Sequence, residues 1–436
     1  MKFDWFRTGP VGLVLLGMIL LPPAARAQES EPRTVTLAEA IRLALENDPA
    51  AVAAEAAVAT AEANRLATRG AWLPSITFNS SYGNSSNQRF DQASGQLVSE
   101  SYSAAFQANY TLFSGGRRIA QNRAAGARVE AAEAGYRAQR FSTVLRTTEL
   151  FYAAAVAEEM VTIAEQRLKR AEQQLEFART RLEVGTATRS DVLRAEIEVG
   201  NARIALVDAE AARRAARLEL GRILGLPDGA RPADAALPER APTLPPLEEL
   251  IRRAEARSPA VVAARAEAES FSAQRLAARM AYLPTVGLSS SYDWFAYQFP
   301  PNQESWSLRV QVSLPLFNGF QREAGLQQAA ASERAARARA RDAAIAVRNA
   351  VETGVVDVRA AEERIEIAAR AVELAREDLR VQEERYQIGN ATIVELQTSQ
   401  VALADAEIAY LRARQALGVA IARLEATLGE QLMSDS

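Results

Sequence analysis

Two patterns of apolar positions run along this chain, and each occurs twice. After Pro74, Ile76, Phe78 and Tyr82 share one parity and Thr77, Asn79 and Ser81 the other; the partner segment sets Tyr102, Phe106, Tyr110 and Leu112 against Ser103, Gln107, Asn109 and Thr111. Alternation with period two predicts strands with one apolar and one wet face. The second occurrence opposes Val286, Leu288, Tyr292 and Trp294 to Thr285, Ser289, Ser291 and Asp293, then Trp306, Leu308, Val310, Val312 and Leu314 to Ser307, Arg309, Gln311 and Ser313. After each strand pair the period becomes helical, without a break from about Arg118 to Glu183 and from about Arg322 to Gln387. At 1.5 Å per residue each helix would reach roughly 100 Å. Val161, Leu168, Leu175 and Leu182 recur every seven residues, interleaved with Ala157, Ala164, Ala171 and Ala178. Ile365, Val372, Leu379 and Tyr386 do the same with Ala361, Ala368 and Ala375. A bulky row facing an alanine row is a coiled-coil seam that lets helices approach closely. Returning helices are expected over about Arg189–Leu224 and Ile393–Leu428, the first with a seam through Ile197, Gly200, Ile204 and Val207.

The two occurrences are one repeat. Ala40 to Tyr82 aligns without a gap with Leu250 to Tyr292, 210 positions on, whereas LFSGG against LFNGF and RLEVGTAT against RYQIGNAT stand 204 apart. The second hairpin is therefore about six residues shorter, and the following helices match in length. Expected boundaries are an export signal over 1–27, a first repeat over 28–224, a Pro-rich linker over 225–250, a second repeat over 251–428 and a tail over 429–436. The signal reading rests on Lys2 and Arg7 before the apolar run Val11–Leu21, then Ala25-Arg26-Ala27 as a cleavage pattern.

Composition narrows the chemistry. The chain has no Cys and no His, which removes thiol nucleophiles, imidazole acid–base work and the usual zinc and copper ligand sets. No Gly-rich phosphate loop, nucleophile elbow or paired-carboxylate constellation stands out, so no catalytic, cofactor or metal residues are assigned. A formal charge of −3 does not favour nucleic acid as a partner. Four strands cannot close alone, since the smallest membrane barrels use about eight, so several chains must contribute. Tyr82, Tyr102, Tyr292, Trp294 and Trp306 suit the aromatic girdles of such a barrel.

The rods reverse at Val184-Gly185-Thr186 and Ile388-Gly389-Asn390, where Gly suits the left-handed turn and Thr188, Ser190 or Thr392 can cap the next helix. With the tandem halves, the LPS and LPT junctions, LFSGG and LFNGF, and above all RLEVGTATRSDVL and RYQIGNATIVEL, the chain resembles the outer-membrane efflux protein family typified by TolC. That resemblance implies a mainly α protein with a membrane β part: long coiled-coil hairpins plus four strands per chain. Three copies would form a 12-stranded barrel continued by a 12-helix periplasmic tunnel. It further implies a passive exit duct in the outer membrane of a Gram-negative bacterium, without enzymatic activity, serving tripartite efflux or type I secretion. Its partners would be outer-membrane lipid, a periplasmic adaptor (membrane fusion) protein meeting Val184, Gly185, Thr186, Ile388, Gly389 and Asn390, and an inner-membrane pump of RND, ABC or MFS type. By the same resemblance Tyr386, with Ser190 and Asp191, holds the tunnel end shut. Glu395 takes the first gate-acid position, while Thr398 replaces the second acid and Ala391 an arginine of the second link. Three Glu395 carboxylates about one axis would raise one another's pKa and draw in cations. The alternative of another class is a periplasmic coiled-coil adaptor or structural protein, which leaves the aromatic hairpins unexplained.

Overall fold

A computed structural model describes residues 32–91, 95–233, 237–430 and 432. The expected export signal and most of the tail lie outside them. In chain order the elements are β1 (Arg33–Val35), α1 (Leu37–Asn47), α2 (Pro49–Gly70), β2 (Ser75–Asp91), β3 (Gln96–Phe113), α3 (Arg117–Glu183), α4 (Arg189–Leu224), β4 (Ala230–Pro232), α5 (Leu247–Arg257), α6 (Pro259–Arg279), a 3-10 turn (Met280–Tyr282), β5 (Thr285–Ala296), β6 (Gln303–Ser313), α7 (Gln321–Gln387) and α8 (Ile393–Leu428).

β2, β3, β5 and β6 form one antiparallel sheet in that order. Its register carries the alternation across all four strands. Phe78, Phe106, Tyr292 and Trp306 line up in one row, and Thr77, Gln107, Ser291 and Ser307 in a row of the opposite parity. Phe78, Phe106, Leu308, Val310 and Val312 are exposed, so nothing among the described residues covers the apolar face. Among the described residues the outer edges of β2 and β6 have no strand partner.

Beside the expected four-stranded sheet there is a second, small one. In it β1 and β4 run parallel, with Thr34 opposite Arg231. Three-residue strands are too short to show alternation, which hid them. Beyond β4 the linker lies across the second repeat: Arg414 donates to the Leu237 carbonyl, and the Ala241 N–H to Glu362 at 3.3 Å.

The rods α3 and α7 have 67 residues each. Ala157, Ala164, Ala171 and Ala178 are buried along α3, while Leu168 and Leu175 are half-buried and Leu182 is exposed. The alanine row is therefore what brings the helices close, and Arg167 ties α3 to α4 through Glu198 at 2.7 Å. Apolar packing falls into three clusters. One joins Val35, Phe151, Leu220 and Leu224 with other residues of the first repeat, Ala230 and Leu237 of the linker, and Leu411. A second, including Val351, Leu417 and Leu424, belongs to the second repeat together with Leu250 at the end of the linker. The third, at the far end of the rods, joins both repeats through Ala178, Val192, Leu379, Tyr386, Ile393 and Leu396.

α8 crosses α3 where Gly418 lies under the Tyr152 ring, so closely that a Cβ there would stand 2.4 Å from a ring carbon. Gly418→Ala is expected to cost about 1–3 kcal/mol through overpacking, read as a lower urea midpoint by circular dichroism. Adding Tyr152→Leu should recover part of that loss.

Candidate functional site

The two rod tips are built alike because their sequences are. At the end of α3, Gly185 (φ 77°) turns the chain and the Thr186 N–H returns to the Arg181 carbonyl at 2.8 Å. At the end of α7, Gly389 (φ 82°) does the same, with the Asn390 N–H on the Arg385 carbonyl at 2.8 Å. Left-handed glycine followed by this long return bond is the Schellman way of satisfying terminal carbonyls. Val184 and Ile388 are thereby left 69% and 72% exposed at the apex, beside exposed Gly185, Thr186, Gly389 and Asn390.

Capping boxes start both returning helices. The Thr188 hydroxyl accepts from the Asp191 N–H, and Asp191 Oδ2 accepts from the Thr188 N–H (2.8 Å) and hydroxyl (2.7 Å). Thr392 and Glu395 repeat this, with Glu395 Oε2 2.7 Å from the Thr392 N–H and 2.9 Å from its hydroxyl. At Glu395 these bonds stabilise the charged form. The Thr392 backbone N–H, then its hydroxyl, hold the Glu395 carboxyl below the usual range. Within one copy the expected upward push on Glu395 is thus opposed by its own cap. Thr398 is exposed one turn later, its hydroxyl donating to the Val394 carbonyl at 2.8 Å, so Glu395 and Thr398 share an open face of α8.

Tyr386 is buried in the tip cluster, its ring 5.8 Å from that of Phe177. Burial raises its hydroxyl pKa and Asp191 pushes the same way, against the opposing charge of Arg181. The charge of Asp191 is felt at the Tyr386 hydroxyl, while one Asp191 oxygen is committed to Thr188. Ser190 is exposed on the first turn of α4 and Thr188 takes the cap.

Sequence reading missed Arg181. Its Nη1 donates to the Tyr386 carbonyl at 2.9 Å, and its guanidinium lies over the rings of Tyr386 (5.3 Å) and Phe177 (5.8 Å). It also reaches the Thr186 carbonyl at 3.4 Å, so one cation spans both tips. The signal was an arginine four residues before each turn glycine, Arg181 and Arg385, which reads as ordinary helix-end charge.

At the other end Tyr82 and Tyr102 pair at 5.1 Å and Tyr292 and Trp294 at 4.7 Å. Tyr102 and Tyr292 donate to Glu100 (3.1 Å) and Glu304 (2.6 Å). Tyr102 lies opposite Ala296, the last residue of β5, and Trp306 lies exposed opposite Tyr292. These aromatics gather at the upper part of the four-stranded region, and β2 and β3 continue past it.

An aromatic-faced sheet with open edges, carried on paired rods about 100 Å long, defines a membrane protein that enters lipid by strands. None of the described helices is long and apolar enough to cross a membrane. Known proteins place the chain. The family described as "Outer membrane efflux protein" matches residues 40–226 and 250–430, and the chain belongs to it. Protein CyaE of Bordetella pertussis is 29% identical over 386 residues, covering 87% of this chain and 80% of that protein. Among solved structures, a membrane protein from Pseudomonas aeruginosa superposes with TM-score 0.79 at 21% identity, over 92% of this chain and 91% of that one. The outer membrane protein VceC of Vibrio cholerae gives 0.76 at 20%, over 91% and 97%. The protein is an outer-membrane channel component with a helical extension and a β-barrel part.

Two measurements test the tip. Because the folded-state pKa of Glu395 is lowered, its contribution is complete above the ordinary glutamate value of about 4.3 and lost as pH falls through the lowered one. Amide exchange in the first turn of α8 should therefore accelerate at acid pH, and in Glu395→Ala at every pH. Arg181→Ala should speed exchange at both tips by about tenfold, the equivalent of a charged hydrogen bond worth about 1.4 kcal/mol. Arg385→Ala, which clips its own turn at the Asn390 carbonyl (3.2 Å), should affect the second tip alone.

Proposed function

We propose that three copies close into a passive exit duct, a 12-stranded barrel continued by a 12-helix tunnel, serving a tripartite efflux or type I secretion machine. The observation that carries this reading is where the chain is unfinished. The sheet ends in the bare edges of β2 and β6. On the rods Leu193, Ile197, Ile204 and Val207 of α4 form an exposed apolar stripe, as do Val356, Ile367 and Leu374 of α7. All are places where a further copy fits. Two copies would give eight strands, whose interior is filled by side chains; twelve strands leave a lumen.

The wet face of the sheet then lines the lumen, and the apolar face with Tyr82, Tyr102, Tyr292, Trp294 and Trp306 meets lipid. The tips are the docking surface for a periplasmic adaptor: Val184, Gly185, Thr186, Ile388, Gly389 and Asn390 present the same knob-and-glycine outline twice, for one kind of adaptor end. Tyr386, Ser190 and Asp191 form the gate contact, with Arg181 in place of the link lost at Ala391. Glu395 and Thr398 face the constriction. An inner-membrane pump of RND, ABC or MFS type supplies the energy.

Single-channel current in a planar bilayer, recorded beside oligomer mass, checks the reading. A trimer with small, stable, cation-leaning steps is expected, with the cation preference reduced in Glu395→Gln and the current raised in Tyr386→Phe with Asp191→Ala. A detergent-free soluble monomer without conductance would rule the duct out.

A further inference from the structure

At the base of the sheet the chain makes a joint between its own repeats. Gly115 and Gly116, both left-handed (φ 64° and 86°), end the first hairpin under the start of the second. A Cβ on Gly115 would stand 2.6 Å from Leu283 Cβ, and one on Gly116 3.6 Å from Met280 Sδ. Met280 and Leu283 thus close over two glycines. Moving by the repeat offsets, Gly115 and Gly116 become Gly319 and Phe320, while Met280 and Leu283 become Gly70 and Leu73. Both halves of this second joint lie open. A Cβ on Gly319 or Gly70 would meet nothing within 4 Å, and Phe320 and Leu73 are 67% and 69% exposed.

The helices above repeat the contrast. Ala266, Ser270 and Ala273 of α6 are buried, but their equivalents Ala56, Thr60 and Ala63 of α2 are exposed. Ala120, Ala127 and Ala134 of α3 are buried, but Ala324, Ala331 and Ala338 of α7 are exposed. The open halves belong to opposite edges of the sheet, three strand spacings or roughly 14 Å apart. They cannot meet within one copy.

We propose that Phe320 is the knob of the joint between copies, seated in the space left by the neighbouring copy's Gly70. The sizes are exchanged between the two joints: glycine under methionine within the chain, phenylalanine over glycine between chains. Phe320 is the one non-glycine residue with positive φ among the described residues (63°), at the position where the first repeat has Gly116. A bulky side chain is strained there, and glycine would serve the backbone better, so the ring is what the position keeps. Phe317 braces it edge-on at 5.5 Å. The exchange makes the two joints non-interchangeable, so the second junction selects a second copy's first repeat. This inference rests on the reading that copies join through their sheet edges.

The chain has no cysteine, so Phe320→Cys combined with Gly70→Cys is a clean probe. Oxidation should give a ladder of covalently linked copies on a denaturing gel, and neither single variant should. A bond within one copy is excluded, because the two Cα atoms lie beyond the roughly 7 Å limit for a disulfide. Independently, Phe320→Gly should lower the temperature at which the detergent-purified oligomer dissociates. Adding Gly70→Met, which copies the joint within the chain, should restore it. An oligomeric protein that gives no ladder and dissociates unchanged in Phe320→Gly would overturn the knob and leave the duct standing. An unmodified protein that is monomeric in detergent would overturn both.

Discussion

Backbone hydrogen bonding in lipid is the constraint on which the rest of this structure depends. In hydrocarbon each unpaired N–H or C=O costs several kcal/mol, so only helices and closed sheets enter a bilayer. The four strands here are open on both sides, at β2 and at β6, and the family is one of the outer membrane. One copy is therefore an incomplete object. Because the rods grow directly out of the strands, any arrangement that closes the sheet also brings rods side by side. The uncovered stripes on α4 and α7 are the same deficit expressed as apolar surface.

Alanine is the material suited to such rods. It has the highest helix propensity and no side-chain entropy to lose, and its small Cβ lets backbones approach closely along the buried Ala157–Ala164–Ala171–Ala178 row. Surface ion pairs such as Arg380 with Glu377 and Glu384 are frequent but individually worth little in water. Their role is to keep long rods soluble. Cohesion comes from the seams and from a few tight crossings such as Gly418 under Tyr152.

Much of this was legible in the residues because the two periods, two and seven, are each sustained over many turns or strands. The hairpins and the heptad rows through Val161 and Ile365 announce themselves. What escaped was short or ambiguous. Arg33–Val35 and Ala230–Pro232 pair over three residues each, less than one cycle of any periodic signal. Arg181 looked like the usual basic residue at a helix C-terminus, and only the folded chain sets it over Tyr386. Family resemblance makes Glu395 an expected gate acid. The Thr-x-x-Glu spacing that also makes it a capping residue was equally visible, and it changes the sign of the pKa push within one copy. The pairing of open faces depends on comparing burial between equivalent positions, which no single sequence contains.

The division of apolar packing into three clusters has a mechanical meaning. Two of them sit side by side, one drawn almost entirely from each repeat, with Leu411 the one residue of the first that comes from the second. The third, at the tips, is shared. Any displacement of the α3–α4 tip against the α7–α8 tip would have to shear that shared cluster. On the proposed duct the tip cluster is the latch, and the two clusters behind it are the bearings on which the leaves of a shutter turn.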